Sequence, residues 1–189
     1  MGGFFVVMPR VVGMADHPMK LKPALTRYVL PGWYIYTSTG TQADAGRIYY
    51  IPIFVPETTA YTAIGIYVVT GAAGVADLRV FGWSNGVPGP LVLSAGTVDT
   101  STGGAKETPI SLTLSRGYYF LAVRCTGTPV LLGPDPSYPT VPPVPGFNEN
   151  LDGTSPLVVL AADAEYSDPA PAPTLGRGPE YAFVFLKEA

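Results

Sequence analysis

Few side chains in this sequence could act as a nucleophile, a general base or a metal ligand. His17 is the single histidine and Cys125 the single cysteine of the 189 residues. Nucleophilic catalysis by serine or cysteine needs a base beside the nucleophile, and a zinc site needs several nitrogen or sulfur ligands. His17 lies in an irregular N-terminal stretch, and Cys125 lies in an apolar run typical of a buried strand. We therefore predict no enzymatic activity, no catalytic residues, no metal centre and no cofactor.

Acidic side chains offer two further kinds of site. The run Asn148-Glu-Asn-Leu-Asp-Gly places oxygen ligands close together before a glycine, as calcium requires, although such runs are more often polar loops. Glu57, Asp77, Asp99 and Glu107 could supply the carboxylate pair of a glycoside hydrolase. Each of the four lies next to turn residues, and we interpret them as solvated acids at turns.

Aromatic residues give the remaining signal, with twelve Tyr, eight Phe and two Trp. Sugar-binding sandwiches use exposed Trp and Tyr rings beside amide groups. Trp83 and Asn85 are the best candidate pair, because the Asn-Gly and Pro-Gly steps of residues 84–90 predict a rigid loop next to the ring. Packing inside the protein or between subunits is the alternative role of Trp83. We predict Trp83 and Asn85 as ligand-binding residues.

The elements that would position this pair are strands. Residues 47–126 contain five apolar runs of strand length bounded by Gly, Pro, Asn, Ser or Thr, and none has the spacing of an amphipathic helix. In the run 58–69 the alternation predicts that Ile64, Ile66 and Val68 face the core. In the run 76–83 both faces are partly apolar. Pro52 has no N–H to donate, so its strand is predicted to lie at a sheet edge or a bulge.

Polar stretches separate these runs. Residues 37–46 are predicted to form a loop, and a second loop rich in Ser, Thr and Gly, which includes Lys106 and Glu107, is predicted before a strand at 110–114. Eleven of the 21 prolines lie in residues 134–179. The final apolar run, 181–186, should return to the sandwich, because leaving Phe183 and Phe185 in water would cost about 1.5–3 kcal/mol each.

These patterns together predict an all-β chain. We expect an antiparallel β-sandwich with an extended N-terminal arm and a Pro-rich C-terminal cover. Residues 1–45 would form the arm and first strand, residues 46–133 the core of the sandwich, and residues 134–189 Pro-rich loops with returning strands. The arm has apolar patches but no clear period, so we expect it to become ordered by packing on another subunit or another protein.

Composition restricts the partners. Charged residues make up only 13% of the chain and its net charge is −3, with Lys and Arg scattered singly, so nucleic acid is not expected as a ligand. No apolar run approaches the roughly 18–20 residues of a membrane-spanning helix. A sparsely charged, apolar surface favours burial in an assembly. We predict a homo-oligomer, most simply a trimer.

Six short motifs in the central region resemble a domain of tailed-phage structural proteins, of the tail-fibre, receptor-binding or head-fibre type. The motifs occur in the same order as in that domain and cover about 80 residues. They are Tyr49-Tyr-Ile-Pro, Ile64-Gly-Ile, Asn85-Gly-Val-Pro-Gly, Leu93-Ser-Ala-Gly-Thr-Val, Ser101-Thr-Gly-Gly-Ala-Lys-Glu and Leu114-Ser-Arg-Gly-Tyr-Tyr. The domain often has an aromatic-Trp pair in its last strand, where this chain has Tyr119-Phe120.

The resemblance implies a non-enzymatic bacteriophage virion protein of jelly-roll-like fold that is exposed to the host or the medium. If the protein is a receptor binder, we expect Trp83 and Asn85 to meet a host surface glycan. It would contact other virion proteins through the N-terminal arm. A capsid jelly roll or a decoration protein is the alternative within the same class. A carbohydrate-binding module of a secreted hydrolase is the alternative from another class, although no linker to a catalytic domain is evident in the sequence.

Overall fold

The structure is a computed structural model that describes residues 28–29, 38–134, 157–177 and 182–189. The arm of residues 1–27, His17 and the acidic run 148–153 lie outside the described residues. Strands account for all the regular structure of the described part. They are β1 Tyr28–Val29, β2 Ser38–Gln42, β3 Arg47–Val55, β4 Thr59–Thr70, β5 Val75–Ser84, β6 Val87–Asp99, β7 Gly104–Leu114, β8 Gly117–Cys125, β9 Val130–Pro134, β10 Leu157–Asp163, β11 Thr174–Arg177 and β12 Phe185–Glu188.

The strands form two antiparallel sheets of six strands each. In sheet I, β4 pairs with β7 on one side, and on its other side with β12 along its first half and β9 near its end. The short strand β1 pairs with β12, and the short strand β2 pairs with β9. Sheet II has the order β11-β10-β3-β8-β5-β6. The predicted all-β antiparallel sandwich is confirmed.

The core lies between the inner faces of the two sheets. Ile64, Ile66 and Val68 of β4 are at most 2% exposed, as their alternation predicts, and they belong to one apolar cluster with Ile51 of β3 and Leu121 of β8. The end of the chain closes this core. Phe183 and Val184 are buried just before β12, which confirms that the last apolar run returns to the sandwich.

A second, smaller apolar cluster lies on the outer face of sheet II. Its buried members include Tyr50, Phe81 and Phe120, whose side chains point away from the main core. Residues 164–173, here called the cover segment, lie against this face, with Tyr166 and Ala170 packed on the cluster. The main core therefore covers one face of β5 and the cover segment covers part of the other, which explains why residues 76–83 are partly apolar on both faces.

Three predictions about the strands need correction. Residues 38–42, predicted within a polar loop, form β2, which pairs with β9 along its whole length. Lys106 and Glu107, also predicted in a loop, lie in β7. Both strands are polar because each lies at an edge of sheet I, where only part of each side chain is covered.

The third correction concerns Pro52. Its strand, β3, is not at an edge but lies between β10 and β8. The register of β3 with β10 ends at Tyr50, whereas the register with β8 continues to Val55. The missing N–H of Pro52 therefore interrupts no pairing with β10 in the described part of the sheet, and an inner strand tolerates the proline.

Candidate functional site

The outer face of sheet II carries the richest chemistry in the described part of the chain. Register places Phe54 opposite Tyr118 and Pro52 opposite Phe120 on neighbouring strands β3 and β8. On the other side of β8, Phe81 lies opposite Phe120 and Asp77 opposite Arg124. One end of the face is therefore aromatic and the other end is charged.

A tight turn fixes the aromatic end. Ser84 pairs with Val87, so only Asn85 and Gly86 lie between β5 and β6, with φ of 51° and 90°. This is the two-residue turn that an Asn-Gly step favours, because both positions need positive φ. The prediction of a rigid turn at Asn-Gly is confirmed, but the predicted loop 84–90 is only these two residues, since residues 87–90 belong to β6.

Trp83, two residues before Asn85, is part of an aromatic stack. Its ring lies parallel to that of Phe120, with centroids 5.1 Å apart and an angle of 7° between planes. The ring of Tyr118 is 5.0 Å away on the same strand as Phe120, and Tyr118 in turn contacts Phe54 at 4.9 Å. We call these four residues the aromatic shelf. Contact with Phe120 occupies one face of the indole, so Trp83 contributes to packing.

The exposed parts of the shelf are what a ligand could reach. Tyr118 is 38% exposed, Trp83 is partly exposed and Asn85 is exposed at the turn. The turn lies close to the indole, since a Cβ built on Gly86 would be 4.0 Å from Cζ2 of Trp83. The structure thus places Trp83 within the shelf and Asn85 at the turn beside it. Tyr118 is an exposed ring that could not be predicted from the sequence, because its contact with Trp83 depends on pairing between distant strands.

The cover segment is attached to the rest of this face by polar contacts. The backbone N–H of Leu91 donates to Asp168 Oδ1 at 3.0 Å, and the N–H of Ala170 donates to the Gly89 carbonyl at 3.0 Å. An ion pair joins Arg124 to Glu165. The segment therefore bonds to β6 and β8 and shields the middle of the outer face.

Tyr166 is the main anchor of the cover segment. Its hydroxyl donates to the Asp77 carbonyl at 3.2 Å, and its ring lies 5.9 Å from that of Phe81. The guanidinium of Arg79 lies over the same ring at 4.2 Å and pairs with the Asp77 carboxylate at 2.9 Å. Burial, with the nearby Asp77 charge, holds the pKa of Tyr166 well above its ordinary value. The hydroxyl therefore stays protonated and keeps donating.

The acids predicted as solvated turn residues have different roles. Asp99 fits the prediction, since it accepts bonds from the hydroxyl and N–H of Ser101, which lower its pKa. Glu57 lies in the bend between β3 and β4. For Asp77 and Glu107 the prediction is wrong. Asp77 lies within β5 and pairs with Arg79, and Glu107 lies within β7, 3.6 Å from Lys187.

Metal and nucleophile chemistry find little support in the described residues. Within ranges 28–29, 38–134, 157–177 and 182–189, no three His, Cys, Asp or Glu side chains form a group that could hold a metal ion. Cys125 is buried, as predicted, and burial raises the pKa of its thiol to about 12. The thiol is therefore protonated at neutral pH and poorly nucleophilic.

Comparison with known proteins gives no relative: no family model, no curated protein and no solved structure matches the chain significantly. In the part of the chain that the structure describes, no helix is long and apolar enough to cross a membrane.

Proposed function

We propose that this chain is a non-enzymatic structural protein of a bacteriophage virion, of the tail-fibre, receptor-binding or head-fibre type, that binds host surface glycans at the aromatic shelf. The observation that carries the glycan part is the shelf itself, with the exposed ring of Tyr118 and the exposed amide of Asn85 at its rim. The apolar faces of sugar rings pack on aromatic rings, and their hydroxyls bond to amides. The rigid sandwich holds these groups in place, as binding residues require.

The virion part of the proposal is supported by the order of the six motifs and by the sparse charge. A subunit with 13% charged residues and a net charge of −3 is better suited to an assembly than to a free monomer. We propose that it forms a trimer. Sedimentation at micromolar concentration should then show a single species at three times the monomer mass, and a stable monomer would count against assembly.

A carbohydrate-binding module of a secreted hydrolase is the second candidate, because the same shelf would suit it. A capsid or decoration protein is a third. A free module would not be located on a particle. A capsid or decoration protein would be located on a particle but need not bind a receptor glycan. Locating the chain on a particle separates the module from the two virion roles, and glycan binding separates a receptor binder from a decoration protein.

Glycan binding can be measured through Trp83. Replacing Trp33 by Phe leaves Trp83 as the single tryptophan, so that its fluorescence reports on the shelf. We expect at least one bacterial surface polysaccharide to change this fluorescence saturably. Asn85→Gly should weaken binding about tenfold, the equivalent of one hydrogen bond of about 1.4 kcal/mol. Glycine adopts the φ of 51° readily, so the variant removes the amide and keeps the turn.

The result that would refute the glycan proposal is equally specific. If a wide panel of polysaccharides leaves the fluorescence unchanged, the shelf is a packing feature. If binding occurs but Asn85→Gly binds as tightly as the parent, the amide has no part in it and the site lies elsewhere.

A further inference from the structure

A groove of about 210 Å³ lies on the outer face of sheet I, the side of the sandwich opposite the aromatic shelf. Gly65 of β4 forms its floor, and the side chains of Tyr67, Leu132 and Phe185 form its walls. The floor is low because Gly65 has no side chain between Phe185 on β12 and Glu107 on β7, its partners in register. A Cβ on Gly65 would lie only 2.5 Å from the Lys106 carbonyl oxygen, so this close backbone approach requires glycine.

The size and lining of the groove indicate what it could bind. Sites for small molecules usually have volumes of about 300–1,000 Å³, so this groove suits a few side chains of a polypeptide better. The apolar surface continues beyond it, since Tyr67 is 43% exposed and Val69 of the same strand is 45% exposed. The ion pair of Lys187 and Glu107, 3.6 Å apart, lies at the rim. Apolar side chains flanked by charge are the expected ligand.

Strand addition is a less suitable mode of association on this side. β7 is the edge strand next to the groove and pairs only with β4 in the described sheet. Pro109 lies in the middle of β7 and has no N–H to donate to an added strand. A segment that binds here would therefore use side chains in the groove rather than a backbone ladder along the edge.

The chain itself contains a segment of matching chemistry. Residues 4–8 are Phe-Phe-Val-Val-Met, an apolar run within the N-terminal residues 1–27. Residues 1–27 carry four basic and one acidic side chain, a net charge of +3, whereas the remaining residues carry seven basic and thirteen acidic ones, a net charge of −6. The segment and the body of the protein therefore attract each other.

The point where the segment joins the sheet also fits. Tyr28, the first residue of β1, pairs with Lys187 of β12, the strand that contributes Phe185 to the groove. The 20 residues from Met8 to Tyr28 can span up to about 66 Å when extended, at about 3.3 Å per residue. Because β1 and β12 are neighbouring strands about 5 Å apart, this length reaches the groove of the same copy.

From these observations we infer that the groove is the docking site of the N-terminal segment, with the apolar run 4–8 as its occupant. The inference deepens the assembly role proposed above, because a segment that docks on an adjacent copy would link the subunits. Only this linking of subunits rests on the proposed assembly. The docking itself depends only on the groove and the segment.

Cysteine cross-linking in the full-length chain tests the inference. Tyr67→Cys places a thiol at the groove and Phe5→Cys places one in the apolar run, while the buried Cys125 is shielded from the reagent. Tyr118→Cys with Phe5→Cys is the matched control, because Tyr118 is a similarly exposed tyrosine, 38% against 43%, on the opposite face. A short bismaleimide should cross-link the groove pair at least fivefold more than the control pair. Equal yields would overturn the inference.

A second cross-linking experiment measures whether the docked segment belongs to the same copy as the groove or to another copy. The two cysteines are placed on differently tagged copies that are expressed together. Cross-links between copies would support both the docking and the assembly role. Cross-links only within a copy would support the docking and contradict assembly through the arm, so that the two proposals fail separately.

A charge placed in the groove gives a second readout. Ala105 lines the groove and is exposed, so Ala105→Asp adds a charge that would lose its water beneath the docked apolar run, which weakens docking without disturbing the core. Trypsin should then cleave after Arg10 about tenfold faster than in the parent chain. Ala60→Asp, at an exposed alanine of β4 outside the groove, is the matched control and should leave the rate unchanged. Equal cleavage rates in both variants and the parent would contradict docking.

Discussion

Replacing Trp83 by alanine should destabilise the protein, because the indole is held in the aromatic shelf. It contacts Phe120 in a parallel stack at 5.1 Å and Tyr118 at 5.0 Å. Aromatic pairs of this kind contribute about 0.5–1.5 kcal/mol each beyond the burial of area. Removing a fully buried Trp or Phe costs about 3–5 kcal/mol, and Trp83 is partly exposed. We therefore expect the free energy of unfolding to fall by about 2–4 kcal/mol.

Thermal unfolding followed by circular dichroism measures this effect. For a chain of this size, 1 kcal/mol corresponds to about 2–4 °C, so the melting temperature should fall by roughly 5–15 °C. Val87→Ala is the control within the same hairpin. Val87 is 41% exposed, and its replacement should change stability by at most about 0.5 kcal/mol.

The outcome bears directly on the role of the ring. If Trp83 had only the ligand-binding role predicted from the sequence, its removal would leave the melting temperature nearly unchanged. A fall of less than about 2 °C would show that the stack is not formed as described. A large fall means that Trp83→Ala cannot test glycan binding, which is why the Asn85→Gly variant is needed for that purpose.

Two further predictions concern the cover segment and the buried thiol. Tyr166→Phe should lower the free energy of unfolding in urea by about 0.5–1.5 kcal/mol, because it removes the hydrogen bond to the Asp77 carbonyl. Tyr166→Ala should lower it by about 1–3 kcal/mol more, because it also removes the contacts with Phe81 and Arg79. Parent-like stability of both variants would contradict the anchoring role. Burial raises the Cys125 pKa to about 12, against about 8.5 in an unfolded chain, so the folded state favours the protonated thiol. The contribution of this thiol to the free energy of unfolding should be fully present below about pH 8.5 and should be lost as the pH rises towards 12. Cys125→Ala should delay the onset of this decline to about pH 10, where unfolded tyrosines ionise, and an unchanged onset would refute the assignment.

The alternating pattern of β4 allowed the core face of its second half to be predicted, because Ile66 and Val68 are buried there whereas Tyr67 between them is exposed. β5 was ambiguous for a physical reason. Leu78 and Val80 pack in the main core, while Phe81 packs in the outer cluster, so period two gives no contrast. The sequence contains no clear signal for what covers Phe81. The cover segment is attached by individual hydrogen bonds from residues such as Tyr166, and these follow no periodic pattern.

The candidate site was predicted only in its local part. The Asn85-Gly86 step specifies its own turn, and the conformation of that turn could be inferred from two residues. The contact of Trp83 with Phe120 depends instead on the pairing of β5 with β8, strands that are far apart in sequence. That register decides whether an aromatic side chain packs against other rings or is free to bind a ligand. No short sequence motif specifies the register.

Electron microscopy of the parent particle tests the central proposal most directly. Antibodies raised against the purified chain and labelled with gold would be applied to phage particles isolated from the culture that produces it. The account predicts gold at one repeated position on the particle surface, a tail fibre, a tail tip or a head fibre. Label confined to the free protein fraction, with particles unlabelled although the antibody binds the purified chain, would contradict a virion role.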